Sequence, residues 1–429
     1  MALNNIQLIE DEILSKAKQF DIPKELVWDA WKRIKANQGA SGIDQESIEK
    51  FETNLGKNLY KIWNRMSSGS YFPPAIKGVE IPKKQGGKRL LGVPTVSDRI
   101  AQMVVKIAFE PCVEPYFLAD SYGYRPNKSA IDAIAVTRQR CWKYDYVLEF
   151  DIKGLFDNID HKLMIRAVRK HTKTKWIILY IERWLKASLQ MPDGTIVKRT
   201  CGTPQGGVIS PVLSNLFLHY VFDMWMKRNY ESKLWCRYAD DGLVHCKTLQ
   251  EAEELLKGLK QRFSQCKLEL HPIKTKIVYC KDGIRKGNHE NTKFKFLGYE
   301  FRRRITCNRY TKSMRLNFTP AISPEAKKAI TAKLRKLNSR SRTDLEIEQI
   351  AAYLNPKLIG WLNYYGKFTK SAMYVIYMRV NSMLVNWARR KYKHLRQHKT
   401  NASMFIERIA KTRPNLFIHW KLGITESFV

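Results

Sequence analysis

Acidic residues are the scarce class in this chain: 40 Asp and Glu stand against 76 Lys and Arg in 429 residues, a formal net charge of +36. Self-repulsion of that size makes sense with a polyanionic partner. Long apolar runs are also lacking. No stretch approaches the ~20 residues of a membrane-spanning helix, which argues against a membrane as that partner. Met1 to Glu12 is mildly acidic and has no signal-peptide core, so the cytoplasm is the expected compartment. The eight Cys occur singly, without a C-x-x-C pair. That speaks against a zinc knuckle and for buried thiols in a reducing compartment. The apolar content, 44%, is that of a globular protein, and the length suffices for two or three domains. Lys and Arg are interleaved with Trp, Tyr and Phe throughout, the composition of folded nucleic-acid-binding surfaces.

Among so few acids, two short stretches are conspicuous. Tyr238-Ala239-Asp240-Asp241-Gly242-Leu243-Val244 places adjacent carboxylates between apolar residues and reads as a β-hairpin with the acids at its turn. Upstream, Tyr146-Val147-Leu148-Glu149-Phe150-Asp151-Ile152 is an apolar strand that ends in a carboxylate. A buried, unpaired carboxylate is costly, so such groups are tied to a cation or a metal. Asp151 with Asp240 is suited to clamping two Mg²⁺ ions, as phosphoryl-transfer polymerases require. Taken alone, each stretch also has a plain structural reading, a hairpin turn for the first and a helix cap for the second.

The motifs together resemble those of reverse transcriptases. Tyr238-Ala239-Asp240-Asp241 is similar to their catalytic box, and Phe150-Asp151-Ile152-Lys153-Gly154-Leu155-Phe156-Asp157 to their first metal-binding box. Gly202-Thr203-Pro204-Gln205-Gly206-Gly207 through Asn215 looks like the box between them, in the family's order. Leu268 to Val278, with Lys274, and Phe294 to Phe301 resemble the family's later palm boxes. Residues 1–65 resemble the N-terminal extension of group II intron and non-LTR enzymes. Leu354-Asn355-Pro356 through Tyr365 resembles the maturase or X domain of group II intron proteins.

The resemblance implies an α+β right-hand polymerase: fingers and palm with an antiparallel sheet backed by helices, plus an α-helical thumb or X domain. The expected division is 1–65 N-terminal extension, 66–320 fingers and palm, and 321–429 a basic helical thumb carrying 21 Lys and Arg against 6 Asp and Glu. The implied activity is RNA-directed DNA polymerase of endonuclease-lacking, group II intron type, with a maturase role in splicing and mobility. Without an endonuclease, such a protein would prime without cutting the second strand, for example at a replication fork. Asp151, Asp240 and Asp241, with the Ile152 carbonyl, would hold two Mg²⁺ ions, with Mn²⁺ as a substitute. Lys83, Arg89 and Gln205 would position the nucleotide, and Phe156 would select deoxyribose. Arg125, Lys274, Arg302, Arg303, Arg304, Arg389 and Arg390 are the candidate nucleic-acid contacts. The implied partners are RNA template, DNA or RNA primer, dNTPs, group II intron RNA and target DNA. Two alternatives stay open: a free-standing relative in defence or DNA repair, and a non-catalytic RNA-binding splicing cofactor.

At finer grain, Asp44 is expected to cap the helix carrying Ile48 and Phe51, Ser97 or Asp98 the helix after Thr95, and Asn355-Pro356 to start a helix. A continuous helix is expected over Val212–Met226. Gly206-Gly207 would let backbone approach a ligand.

Overall fold

The computed structural model describes residues 18–82, 87–307, 311–337, 341–426 and 428. They form two compact units that interleave along the chain. Met1–Ser129, Glu149–Val244 and Gln250–Thr275 make the first; Ala130–Leu148, His245–Leu249 and Lys276–Val429 make the second. In chain order the strands are β1 (Ile76–Pro82), β2 (Lys88–Val93), β3 (Tyr146–Asp151), β4 (Leu189–Gln190), β5 (Ile196–Val197), β6 (Leu234–Tyr238), β7 (Asp241–Cys246), β8 (Lys276–Tyr279), β9 (Lys293–Phe296), β10 (Tyr299–Cys307) and β11 (Met314–Ile322). The architecture is mixed, helices with sheets, and the C-terminal region is helical.

The first unit opens with the helices Lys24–Asn37, Ile48–Glu52 and Leu55–Ser67. Val27, Ala30, Trp31 and Ile34 make one buried stripe at helical spacing. The second helix is capped by Ser47, whose Oγ accepts from Lys50 N at 3.2 Å. Asp44 lies too far upstream to reach that turn and accepts from Glu46 N in the preceding loop instead. Thr95, not Ser97 or Asp98, caps the helix Val96–Val113. Asp98 is fully buried in that helix and accepts from Tyr71 Oη at 2.9 Å, Trp184 Nε1 at 2.8 Å and Gln102 Nε2 at 2.9 Å. β1 and β2 pair antiparallel with Pro82 opposite Lys88, in a sheet of order β2-β1-β4-β5.

The sheet that carries the acids has the order β6-β7-β3-β8. Along β3, Val147, Leu148 and Phe150 are buried, while Glu149 and Asp151 are partly exposed. Phe150 packs on Phe222 and Phe263, with ring centroids 4.9 and 5.9 Å apart, which ties the strand to the helical layer behind it. The expected single helix over Val212–Met226 is broken into three pieces: α over Ser210–Leu218, a π-turn over His219–Asp223, and α again over Met224–Asn229.

In the second unit the strands order as β11-β10-β9, and the helices Pro324–Leu337, Ile347–Tyr365, Tyr374–Lys391 and Lys399–Thr412 enclose one core. Leu334, Leu354, Val380, Trp387, Ile406 and Trp420 lie in it. The helix expected to start at Asn355-Pro356 begins at Ile347, capped by Glu346 through a capping box with Gln349, and Pro356 lies inside it. An interior proline costs about 3 kcal/mol. Here the cost is offset by burial of Ile347, Ile350, Ala351, Leu354 and Leu358 along one stripe. Asn355 then serves as a clamp, donating to Leu416 O at 2.9 Å and accepting from Ile418 N at 3.1 Å.

Three buried histidines make the fold acid-sensitive. Burial pushes His219 down to about 4, and His245 and His419 down to about 3. In the unfolded chain each protonates near pH ~6.5. Below that pH the unfolded state binds more protons than the folded one. Stability is therefore full above about pH 6.5 and is lost as pH falls toward 4, at up to ~1.4 kcal/mol per pH unit for each histidine. Urea midpoints should fall steeply over that window. His245→Leu should flatten the fall, because among the described residues neither ring nitrogen of His245 has a hydrogen-bond partner.

Candidate active site

Asp151 ends β3, and Asp241 begins β7, its neighbour in the sheet. The hairpin expected from the sequence forms, with Ala239 and Asp240 as its two-residue turn between β6 and β7. Burial, then repulsion from Asp240 and Asp151, pushes the Asp241 carboxyl up to about 7. Asp240 is raised too, chiefly by burial and further by Asp151, against the attraction of Arg89 and Lys274. These carboxylates therefore share one electrostatic environment in which full ionisation is unfavourable.

Lys274 meets this charge directly, its Nζ 2.7 Å from Asp151 Oδ2. Expected as a nucleic-acid contact, it faces the carboxylates. The backbone around Asp151 is held by a bridge to the following box: His271 N donates to Asp151 O at 2.8 Å and Lys153 N to Glu269 O at 2.9 Å. In this pattern the Ile152 carbonyl is not used for the bridge, since successive carbonyls point to opposite sides of a strand.

The donor set suits a hard divalent cation, being carboxylate oxygen with a backbone carbonyl alongside and no soft ligand. Among the described residues, no group of three or more His, Cys, Asp or Glu is drawn together as a ready-made metal cage.

Beside the carboxylates, Arg89 Nε donates to Gln205 Oε1, and Gln205 Nε2 donates to Asp157 Oδ2 at 3.3 Å. Two residues expected on the nucleotide are thus brought together from β2 and the Gly-rich loop. Lys83, the third, lies outside the described residues. Gly206 has φ +118°, and a Cβ there would sit 2.4 Å from Gly92 O. Packing against β2 by itself requires the glycine there. Gln102 Oε1 holds the next turn, accepting from Val208 N at 2.7 Å. Phe156 is partly exposed just after Asp151, and its carbonyl accepts from Thr203 N at 2.6 Å.

The turn itself is held from behind by a network that pattern reading did not single out. Ala239 has φ +56°, a left-handed conformation unfavourable for a residue with a Cβ. Arg237, fully buried, donates Nη1 to Ala239 O at 3.1 Å and to Asn215 Oδ1 at 3.1 Å. Its Nε and Nη2 reach Asp223 at 2.8 and 2.6 Å, and Nη2 also reaches Ser121 Oγ at 2.8 Å. The π-turn at His219–Asp223 carries the carboxylate of this pair. One signal was available: Arg237 in an apolar strand and Asp223 in an apolar helix are each an unmatched charge until the other is found. Asn215 Nδ2 also donates to Gly123 O at 2.6 Å, and a Cβ on Gly123 would lie 2.4 Å from Ala239 N. Gly123→Ala should therefore displace the acidic turn with the fold retained, and lower whatever activity the carboxylates support on the order of 10²-fold, as checked by single-turnover kinetics beside circular dichroism.

Arg125 requires a correction. Expected on the nucleic-acid surface, its side chain is 7% exposed and paired inward, with Glu114 Oε1 at 2.7 Å and the carbonyls of Leu118 and Ser121 at 2.7 and 2.8 Å. Its forked donors match a cluster of turn carbonyls better than solvent does. In the second unit, Glu300 pairs with both Arg304, at 3.3 Å and drawn in, and Arg302, at 3.0 Å; Arg302 and Arg303 are nevertheless exposed. Arg389 donates to Arg396 O at 3.3 Å, and Arg390 is exposed beside Ser341.

Residues 81–301 match the reverse transcriptase (RNA-dependent DNA polymerase) family, and residues 327–404 match the group II intron maturase-specific domain. The group II intron-encoded protein LtrA of Lactococcus lactis subsp. cremoris is 32% identical over 52% of this chain and 38% of its own length. Protein YkfC of Escherichia coli is 29% identical over 57% of this chain and 73% of its own. An uncharacterized 91 kDa protein in the cob intron of Schizosaccharomyces pombe is 24% identical over 84% of this chain and 52% of its own. The match to LtrA thus spans well under half of that relative. Among the described residues, no helix is long and apolar enough to cross a membrane. The first match takes in just over half of the chain, with Asp151, Asp240 and Asp241 inside it, so the chain belongs to the reverse transcriptase family and carries a group II intron maturase-specific domain.

Proposed function

We propose that this protein is an RNA-directed DNA polymerase that also binds its group II intron RNA as a maturase. The observation that carries the reading is the carboxylate group on adjacent strands: Asp241 is pushed up to about 7 by burial and by Asp240 and Asp151, a charge a divalent cation would relieve. The family as a whole works with divalent metal ions. Asp151, Asp240 and Asp241, with the Ile152 carbonyl, would hold two Mg²⁺, with Mn²⁺ as a substitute. Bound there, the ions would activate the primer 3′-hydroxyl and stabilise charge during in-line phosphoryl transfer. The chain's own part is positioning and charge. Arg237 and Gly123 keep the acidic turn in place. Arg89 and Gln205, joined by Lys83, orient the triphosphate. Lys274 neutralises Asp151 until the site is filled, then is free to meet phosphate. Arg302, Arg303 and Arg390 are exposed for template–primer or intron RNA. The proposed layout is a right hand, with 1–65 as extension, 66–320 as fingers and palm, and 321–429 as thumb.

The test is primer extension on a polyribonucleotide template with dNTPs and Mg²⁺. Extension supports the polymerase; RNA binding by folded protein without extension would assign it to splicing alone. Phe156 supplies a narrower prediction. If its ring covers the sugar 2′ position, Phe156→Val should raise incorporation of ribonucleotides relative to deoxyribonucleotides by ~10-fold or more, read as a ratio of kcat/KM values.

A further inference from the structure

On the first unit, outside the carboxylate site, lies a cavity of about 430 Å³ that nothing above uses. The volume falls in the ~300–1,000 Å³ range of small-ligand pockets. Its walls come from the helix His161–His171, the π-turn with the helix after it, and the helix Leu249–Gln265. Arg166, Lys170, Arg228 and Arg262 line it, with no carboxylate among its described lining residues. Arg166 and Lys170 sit four apart on one helix and so share a face, and both are exposed, as is Arg228. Tyr220 and Trp225 supply aromatic walls, with Lys170 Nζ 5.0 Å from the Tyr220 ring centroid. Arg262 is committed to the backbone, donating to Val221 O at 3.0 Å and Tyr220 O at 2.9 Å, which fixes the floor.

Cations gathered around a concave aromatic surface repel one another until an anion joins them. An aromatic wall with basic groups at the rim is the chemistry of a nucleotide: the ring for a base, the cations for its phosphate. A mononucleotide has that chemistry, as does a nucleotide bulged from an RNA helix. The maturase-specific domain makes structured RNA the expected partner. We infer that this cavity receives one unpaired nucleotide of a structured RNA, with Arg166, Lys170 and Arg228 on its phosphates and Tyr220 or Trp225 against its base. The inference rests on the RNA-binding reading above and deepens it, adding a second point of attachment on the polymerase portion of the chain.

The test compares full-length protein with Arg166→Glu/Arg228→Glu, both changes being at exposed side chains. The probes are an RNA hairpin with one bulged thiouridine, the same hairpin fully paired, the DNA counterparts of both, and AMP. Wild type should bind the bulged RNA roughly 10-fold more tightly than the paired RNA, because stacking adds to phosphate attraction. The double variant should bind the two alike. Photo-cross-links from the thiouridine should map to 161–171 or 217–229. Using the ratio of bulged to paired RNA removes the general loss that charge reversal causes. Equal affinity for the two hairpins in wild type, a preference that survives in the variant, cross-links elsewhere, or an equal preference for bulged DNA would overturn the inference. So would binding of AMP as tight as that of the bulged RNA. An acidic peptide that displaces paired and bulged RNA equally from wild type but not from the variant would assign the cavity to protein instead. Extension on a homopolymer template, run on the same preparations, separates the failures. Extension without a bulge preference leaves the polymerase standing and removes only the cavity, whereas absence of both extension and RNA binding removes the underlying reading.

Discussion

Asp240→Ala should abolish primer extension on an RNA template, lowering it on the order of 10³-fold or more, while template–primer binding stays within about twofold of wild type. The expected selectivity follows from position. Asp240 sits in the turn between β6 and β7, inside the shared field of Asp151 and Asp241, and away from the exposed arginines Arg302, Arg303 and Arg390 in sequence. A second readout tests the electrostatics. Asp241 has its folded pKa raised to about 7, well above the unfolded carboxylate. The folded state then binds more protons than the unfolded state between those values, so stability contributed by this group is present at low pH and lost as pH rises through about 7. At pH ~8 the metal-free wild type thus carries an unfavourable cluster of like charge. Asp240→Ala should raise its Tm slightly, and Mg²⁺ should stabilise wild type but not the variant. Retained extension, or equal stabilisation by Mg²⁺, would remove the carboxylates from the proposed metal site.

Arg237→Ala should destabilise the protein by about 3–5 kcal/mol, the cost of leaving a buried partner charge unmatched. Asp223 is 0% exposed and takes two of the guanidinium's bonds, so it would be left with His219, at 3.9 Å, as its remaining ion partner among the described residues. The informative variant is the double one. Arg237→Leu with Asp223→Leu removes both charges and fills the space, and should recover most of the stability. It should not recover extension, because the Ala239 carbonyl would lose the donor that holds its left-handed turn. Urea unfolding beside single-turnover kinetics separates the two effects. If the double variant were both stable and active, Arg237 would be a folding device and nothing more.

The carboxylates and the hairpin were legible because their signals are local. A two-residue acidic turn between apolar strands needs no partner to be recognised, and neither does an apolar strand that ends in Asp151. Caps were less legible. Thr95, Ser97 and Asp98 are all competent capping side chains, and the choice fell to Thr95 because Asp98 is consumed by Tyr71, Trp184 and Gln102. Asn355-Pro356 misled for a related reason. Proline is a start signal in isolation, but the apolar stripe from Ile347 to Leu358 pulls the helix through it. Arg125 was a nucleic-acid candidate by resemblance alone; its residues read only as a turn, and nothing local announced the carbonyls of Leu118 and Ser121.

By itself the sequence determined the family and which side chains are the candidates for its chemistry, since boxes of carboxylate, glycine and glutamine in fixed order need only the chain to be read. It also determined the polyanionic character of the partner, which is a matter of net charge. The tertiary structure decided what holds those groups in position. Arg237 finds Asp223 across 14 residues and Ser121 across 116, and Lys274 finds Asp151 across 123. Pairings at such separations depend on how strands and helices stack, because a buried charge is satisfied by whatever the fold brings to it and not by its neighbours in the chain.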